Sequence, residues 1–253
     1  MDTSTQTTEV PAKWPTVPID VMTVAKTGAL AALTDQATPQ RLVDYYDIEG
    51  NYVGSSFTEL SPNETNDITP TDLLATSLMN VKIDARSTRR LTGGADRQWA
   101  IAELRKLPDR ELLVATPKTL EAMYDFYIAV KNAVSNPRAG KPNPWVTASK
   151  LCARKRPYLF PVRDRVVCTY LGILKLNDVR RDWQVFRALV QDTEVQGALA
   201  ALPDAINSAA GYRTVVIEHS ELRLLDAALW LHARDNGGAV VDQEDEDTRP
   251  ALR

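Results

Sequence analysis

Cysteine and histidine are almost missing from this chain, with two of each in 253 residues. Cys152 and Cys168 are too few for a disulfide framework or a cysteine-based metal centre, and a reducing cytoplasm is the compartment they imply. His219 and His232 have no neighbouring cysteine or carboxylate pattern, so neither a metal nor another cofactor is expected. No apolar run approaches the ~18 residues of a membrane span, and no membrane contact is expected. The opening MDTSTQTTEV lacks the basic start and apolar stretch of a secretory signal. Also absent are a phosphate-binding glycine loop, a serine elbow, a zinc-deaminase motif and any internal repeat. Strand character is confined to 212–218, YRTVVIE.

What is present reads as helix. Apolar residues make up 44% and charged residues 25%, ordinary proportions for a globular chain of this length. Such a chain can bury a large core as one domain or as two lobes. Residues 21–33 suit a short helix, and Pro39 opens another through Tyr46. The glycines, prolines, asparagines and aspartates of 47–68 suit a loop. Thr69-Pro70-Thr71-Asp72 is a helix start: hydroxyl cap, proline at N1 and an acid at N3. Gly93-Gly94 separates two further helical stretches. Thr116-Pro117 starts the strongest helix, to about Val134, with apolar residues at three-and-four spacing. Pro144 is suited to N1 of a helix over about 145–155, Asp164 to the cap or first turn of the next. Asp178, Thr193 and Ser220 have the character of caps for the last three helices. The expectation is a mainly α fold: a flexible segment 1–18, a helical domain 19–238 and an acidic disordered tail 239–253. Within the domain there is room for lobes 19–115 and 116–238 with a cleft between them.

Charge is unevenly spread. The total is −3, but DQEDED at 242–247 alone carries five acids. Residues 137–172 instead hold Arg138, Lys141, Lys150, Arg154, Lys155, Arg156, Arg163 and Arg165 around one acid, Asp164. On a helix from 145, Trp145, Ala148 and Cys152 share one side while Lys150 and Arg154 lie four apart on another. One face can be buried and the other offered to phosphate, with salt-dependent binding through counterion release. A solvated helix end accounts for the same run, since cations there also favour the helix dipole. Asp164 likewise has a plain role as N-cap, worth about 1 kcal/mol. Arg223 and Asp226, three apart on a nearly all-apolar helix, call for a structural ion pair or for an acid orienting an active-site arginine.

The pattern D-x-x-V-x-x-x-L-G, from Asp164 through Val167 to Leu171-Gly172, resembles the end of the helix-hairpin-helix DNA glycosylase motif. The combination W-x-x-x-x-K-L-x-A-R-K-R-P with D-R-V-V is similar to a largely uncharacterised bacterial family. Some proteins of that kind look like glycosylases used against phage with modified DNA bases. The resemblance covers about 35 residues and implies a helical bundle that grips the DNA backbone. In it Asp164 takes the place of the catalytic aspartate, and Lys150 is the nearest candidate for the lysine of the lyase-competent members. Residues 138–144 occupy the hairpin turn, without the family's paired glycines, and the interval from Lys150 to Asp164 is shorter than usual.

Under this resemblance the partner is DNA, either duplex with a flipped base or single-stranded. Arg138, Lys141, Arg154, Lys155, Arg156, Arg163 and Arg165 are the candidate phosphate ligands. Trp145, Tyr158 and Phe160 are the local candidates for stacking or wedging, with core packing the stronger reading for Trp145 and Phe160. The other class of function is a non-catalytic nucleic-acid-binding or regulatory helical protein, which needs the cations and not Asp164.

Overall fold

The structure, a computed structural model, describes residues 9–139 and 143–236. Lys141 and the acidic tail lie outside the described residues. Among those described there are twelve α-helices and no strand. They are α1 (Ile19–Thr34), α2 (Thr38–Tyr46), α3 (Ser56–Glu59), α4 (Pro70–Ser77), α5 (Ala85–Thr92) and α6 (Gly94–Leu104). Then come α7 (Pro117–Val134), α8 (Trp145–Lys155), α9 (Arg165–Tyr170), α10 (Val179–Gln191), α11 (Thr193–Ala210) and α12 (Glu221–Asp235). The fold is mainly α.

Local chemistry starts most of these helices. Thr69 and Asp72 form a reciprocal capping box with Pro70 behind the cap. Thr116 accepts from the Thr119 amide at 3.2 Å, and Ser220 from that of Arg223. Two expectations shift by one residue. Asp192, not Thr193, caps α11, accepting from the amides of Glu194 and Val195, in keeping with the stronger cap preference of aspartate. Pro144 is the residue before α8, not its first. The strand expected at 212–218 is reduced to one antiparallel bridge between Asp47 and Val215. Its partner segment turns away at once, where the Gly50 amide bonds back to Asp47.

Residues 9–18 do not behave as a free leader. Trp14 sits 6.4 Å from Tyr124 and 6.2 Å from Trp183, ring to ring. Gln184 and Arg187 of α10 donate to the carbonyls of Pro15 and Glu9 at 2.9 Å.

The helices divide otherwise than at residue 115. Helices α5 and α6 pack against α7, and α4 and α7 against α8. Helices α1 and α2 instead pack on α11 and α12, with α9 against α12 and α10 against α1 and α11. The first two helices cross to the far end of the chain because their apolar faces, Ala25, Ala29 and Leu33 with Leu42, Val43 and Tyr46, are completed there. One continuous hydrophobic cluster runs through both groups.

The two ends of α4 and α8 are joined by charge. Asp72, fully buried, accepts from Arg154 Nε at 3.1 Å and Lys155 Nζ at 2.9 Å, besides its own cap amide, Thr69 N, at 2.9 Å. Arg154 also donates to the carbonyls of Phe57 and Leu60, and Lys155 to Asn63 Oδ1 and the Glu64 carbonyl at 2.8 Å. Arg156 continues the row, reaching the Thr65 and Leu104 carbonyls and Asn66 Oδ1. Three consecutive cations thus staple the end of α3 and the loop after it, residues 57–66, onto α8. Removing one partner of a buried ion pair leaves uncompensated charge, at a cost of about 3–5 kcal/mol. Asp72→Ala is therefore expected to lower unfolding stability by that amount in urea titrations; a loss under ~1 kcal/mol would show the cluster to be dispensable.

Candidate active site

A cavity of about 80 Å³ opens where the two helix groups meet. Four stretches of sequence wall it: Tyr45, Tyr52, Val53 and Phe57; Met79 and Asn80; Lys150, Val162, Asp164 and Val167; and Glu218, Arg223, Asp226, Ala227 and Trp230. The side towards solvent is aromatic. Tyr52 meets Tyr45 at 5.7 Å and Trp230 at 6.1 Å, and the Arg234 guanidinium lies 5.2 Å from the Tyr52 ring and 4.8 Å from that of Trp230. Gly54 holds this wall in place. Its φ is +48°, and a side chain there would come within 2.8 Å of the Tyr45 carbonyl, so only glycine lets the loop fold back on α2.

Asp164 and Lys150, both buried, line this one cavity. Asp164 caps α9: its backbone is extended and its Oδ1 accepts from the Val167 amide at 2.9 Å. The other carboxylate oxygen carries the remaining acceptor capacity. Lys150 is held from α8, its Nζ donating to the Met79 carbonyl at 2.8 Å just beyond α4. The Asp72 cluster one turn along α8 thus fixes the distance between these two helices where Lys150 needs it.

The floor is charged. Arg223 and Asp226 form the expected ion pair, and Asp226 Oδ2 also accepts from the Val162 amide at 2.9 Å. Glu218 accepts from Thr58 Oγ1 at 2.5 Å and from the Tyr46 hydroxyl at 3.4 Å. Burial pushes the Asp226 carboxyl up to about 7, against the pull of Arg223 and the Val162 amide. It raises Glu218 as well. Arg223 Nε and Nη1 and Asp226 Oδ1 have no hydrogen-bond partner among the described residues.

The other site expectations are corrected by burial. Arg154, Lys155 and Arg156 spend their donors on Asp72 and the 57–66 stretch, and burial draws all three below their usual pKa ranges. Arg163 is 1% exposed, paired with Asp182, bonded to Ser149 Oγ at 3.3 Å, and stacked 5.2 Å over the Trp145 ring. As placed, these four cannot meet a phosphate. Arg138 is exposed and Arg165 half-buried. Trp145 and Phe160 are core residues; the Phe160 ring packs 5.9 Å from Phe126 and 5.5 Å from Trp183. Tyr158 is partly exposed but lies by other hollows, beside Glu111 and Ser220 and beside Asp109 and Arg110, away from Asp164. The aromatic residues of the cavity, Tyr45, Tyr52, Phe57 and Trp230, are distant in sequence from Asp164 and belong to no local motif.

A buried acid whose pKa is raised holds a proton in the native state that the unfolded chain has released. For Asp226 the unfolded value is about 4, so its contribution to stability falls as pH rises from about 4 towards 7 and is constant above. Asp226→Asn is expected to remove this descending component, seen as the difference between variant and wild-type urea midpoints over that range. Parallel profiles would mean that Asp226 stays ionised throughout.

Among the described residues, no group of three or more histidine, cysteine, aspartate or glutamate side chains could hold a metal ion, and no helix is long and apolar enough to cross a membrane. Comparison with curated proteins and with solved structures yields no match. One family model does match, over residues 39–233, a span that contains every residue lining the cavity. The chain belongs to that family, DUF6308, a family of unknown function.

Proposed function

We propose that the protein is a DNA base glycosylase that cleaves the N-glycosidic bond of a nucleotide extruded into the cavity. The observation that carries this reading is that Asp164 and Lys150, singled out by resemblance to helix-hairpin-helix glycosylases, both line the same cavity. Aromatic walls offer a flipped base its stacking surface. The charged floor, with its unmet donors and acceptor, suits a modified base with a polar substituent, such as a glycosylated hydroxymethylcytosine of phage DNA. Defence against such phage is the role this substrate implies.

The chemistry follows from the charge. As the C1′–N bond breaks, its electron pair leaves with the base and the sugar becomes cationic. Asp164 stabilises that cation and accepts a proton from the water that attacks C1′; the departing base anion takes up a proton, returned from Asp164 through solvent, leaving an abasic site and the free base. A charge pair about 4 Å apart at an effective dielectric of ~20 is worth ~4 kcal/mol, roughly a thousandfold in rate. In a lyase-competent variant of this reading, Lys150 is the amine that attacks C1′ in place of water. The non-catalytic alternative draws on the same basic run 138–165, of which Arg154, Lys155, Arg156 and Arg163 have their donors engaged internally.

Purified protein incubated with DNAs bearing normal and modified bases is expected to leave abasic sites in one of them. Asp164→Asn should cut base release by about a thousandfold or more while sparing DNA affinity. Undiminished release by that variant would reject the mechanism. Lys150→Ala should spare base release and abolish strand nicking if the amine forms a Schiff base; nicking that persists without added amine excludes it.

A further inference from the structure

If the run 154–156 is structural, DNA must be held elsewhere, and α5 supplies the surface. Its sequence ARSTRRLT has three arginines and no acid. Arg86, Arg89 and Arg90 fall at i, i+3 and i+4 and share a face, while Ser87 and Leu91, four apart, are buried on the other. Arg90 is neutralised by Asp96 and also donates to the Asn132 carbonyl at 2.7 Å. Arg86 and Arg89 are exposed, and no ion pair among the described residues reaches either of them or the exposed Arg138.

The fold gathers these cations at the start of α5. The α5 cap, Asp84, accepts from Asn136 Nδ2 at 3.1 Å, and Ser87 Oγ donates to the Val134 carbonyl at 3.1 Å. Arg86 itself donates to the Ser135 carbonyl at 2.7 Å. The start of α5 is thereby pinned beside the segment that carries Arg138. On its other side α5 follows closely on Asn80, an exposed residue of the cavity wall. Arg86 and the segment carrying Arg138 thus meet at the start of α5, and Arg86 is six residues from Asn80, a reach of at most about 20 Å.

We propose that this strip, Arg86, Arg89 and Arg138, holds the phosphates of the DNA strand flanking the extruded nucleotide. The proposal rests on the glycosylase reading of the cavity and names the surface that would present DNA to it. A partner of this chemistry is selected because a polyanion gains by releasing its counterions when it binds closely spaced, exposed cations.

The test is the salt dependence of binding to a duplex containing a tetrahydrofuran abasic analogue. Removing one phosphate-binding cation reduces the slope of log K against log salt by about 0.9, so Arg86→Gln/Arg89→Gln/Arg138→Gln should shallow it by nearly 3. Lys118→Gln, at the opposite end of α7 and about 25 Å away, should leave it unchanged. All four side chains are exposed, and an unchanged thermal unfolding curve confirms that the variants are folded. A slope in the triple variant equal to wild type overturns the strip. Base release by the wild-type protein is scored separately. Release with an unaltered triple-variant slope refutes the strip and keeps the glycosylase reading. A shallowed slope without release from any DNA does the reverse, and wild-type protein that binds no DNA at about 50 mM salt removes both.

Discussion

One carboxylate, Asp72, holds the architecture in register. It closes the capping box of α4 and receives two buried cations from α8, so a helix start and a helix end are fastened at a single point. Charges taken from water are tolerated only when paired and hydrogen-bonded, and here every donor of Lys155 is matched to an acceptor. The consequence for the cavity is geometric. Lys150 precedes Arg154 by one helical turn, Met79 follows α4, and Phe57 begins the stapled stretch. All three line the cavity, and all three inherit their positions from this cluster.

Much of the fold was legible because helix starts are written locally. Thr69-Pro70, Thr116-Pro117 and Ser220 announce caps through chemistry that reaches no further than three residues. The same locality explains Asp164, whose cap role is visible from its neighbours. Where competition is between adjacent residues, as at Asp192 and Thr193, the sequence pattern leaves the choice open and the stronger acceptor takes the cap. The segment 212–218 has the composition of a strand, but a strand needs a partner of matching length, and the chain beyond Tyr46 turns away too soon.

The basic run was the least legible part. Consecutive cations state a charge and say nothing of burial. The acid that draws Arg154 and Lys155 inward lies some eighty residues earlier, inside what reads locally as an ordinary capping signal. The site divides in the same way. Asp164 and Lys150 were accessible through a motif of contiguous residues, whereas Tyr45, Tyr52, Glu218 and Trp230 meet only because the first helices fold onto the last. No local periodicity encodes that meeting.

That crossing orders events in time. A chain made from its N-terminus produces α1 and α2 long before α11 and α12, whose apolar faces they share. Until those later helices leave the ribosome, the early pair has nowhere permanent to dock, and α12 has yet to contribute Arg223, Asp226 and Trp230 to the cavity. An intermediate that has already stapled α4 to α8 would therefore possess Lys150 and Asp164 but no floor beneath them. The cavity is therefore complete only when the last helix has folded onto the first two.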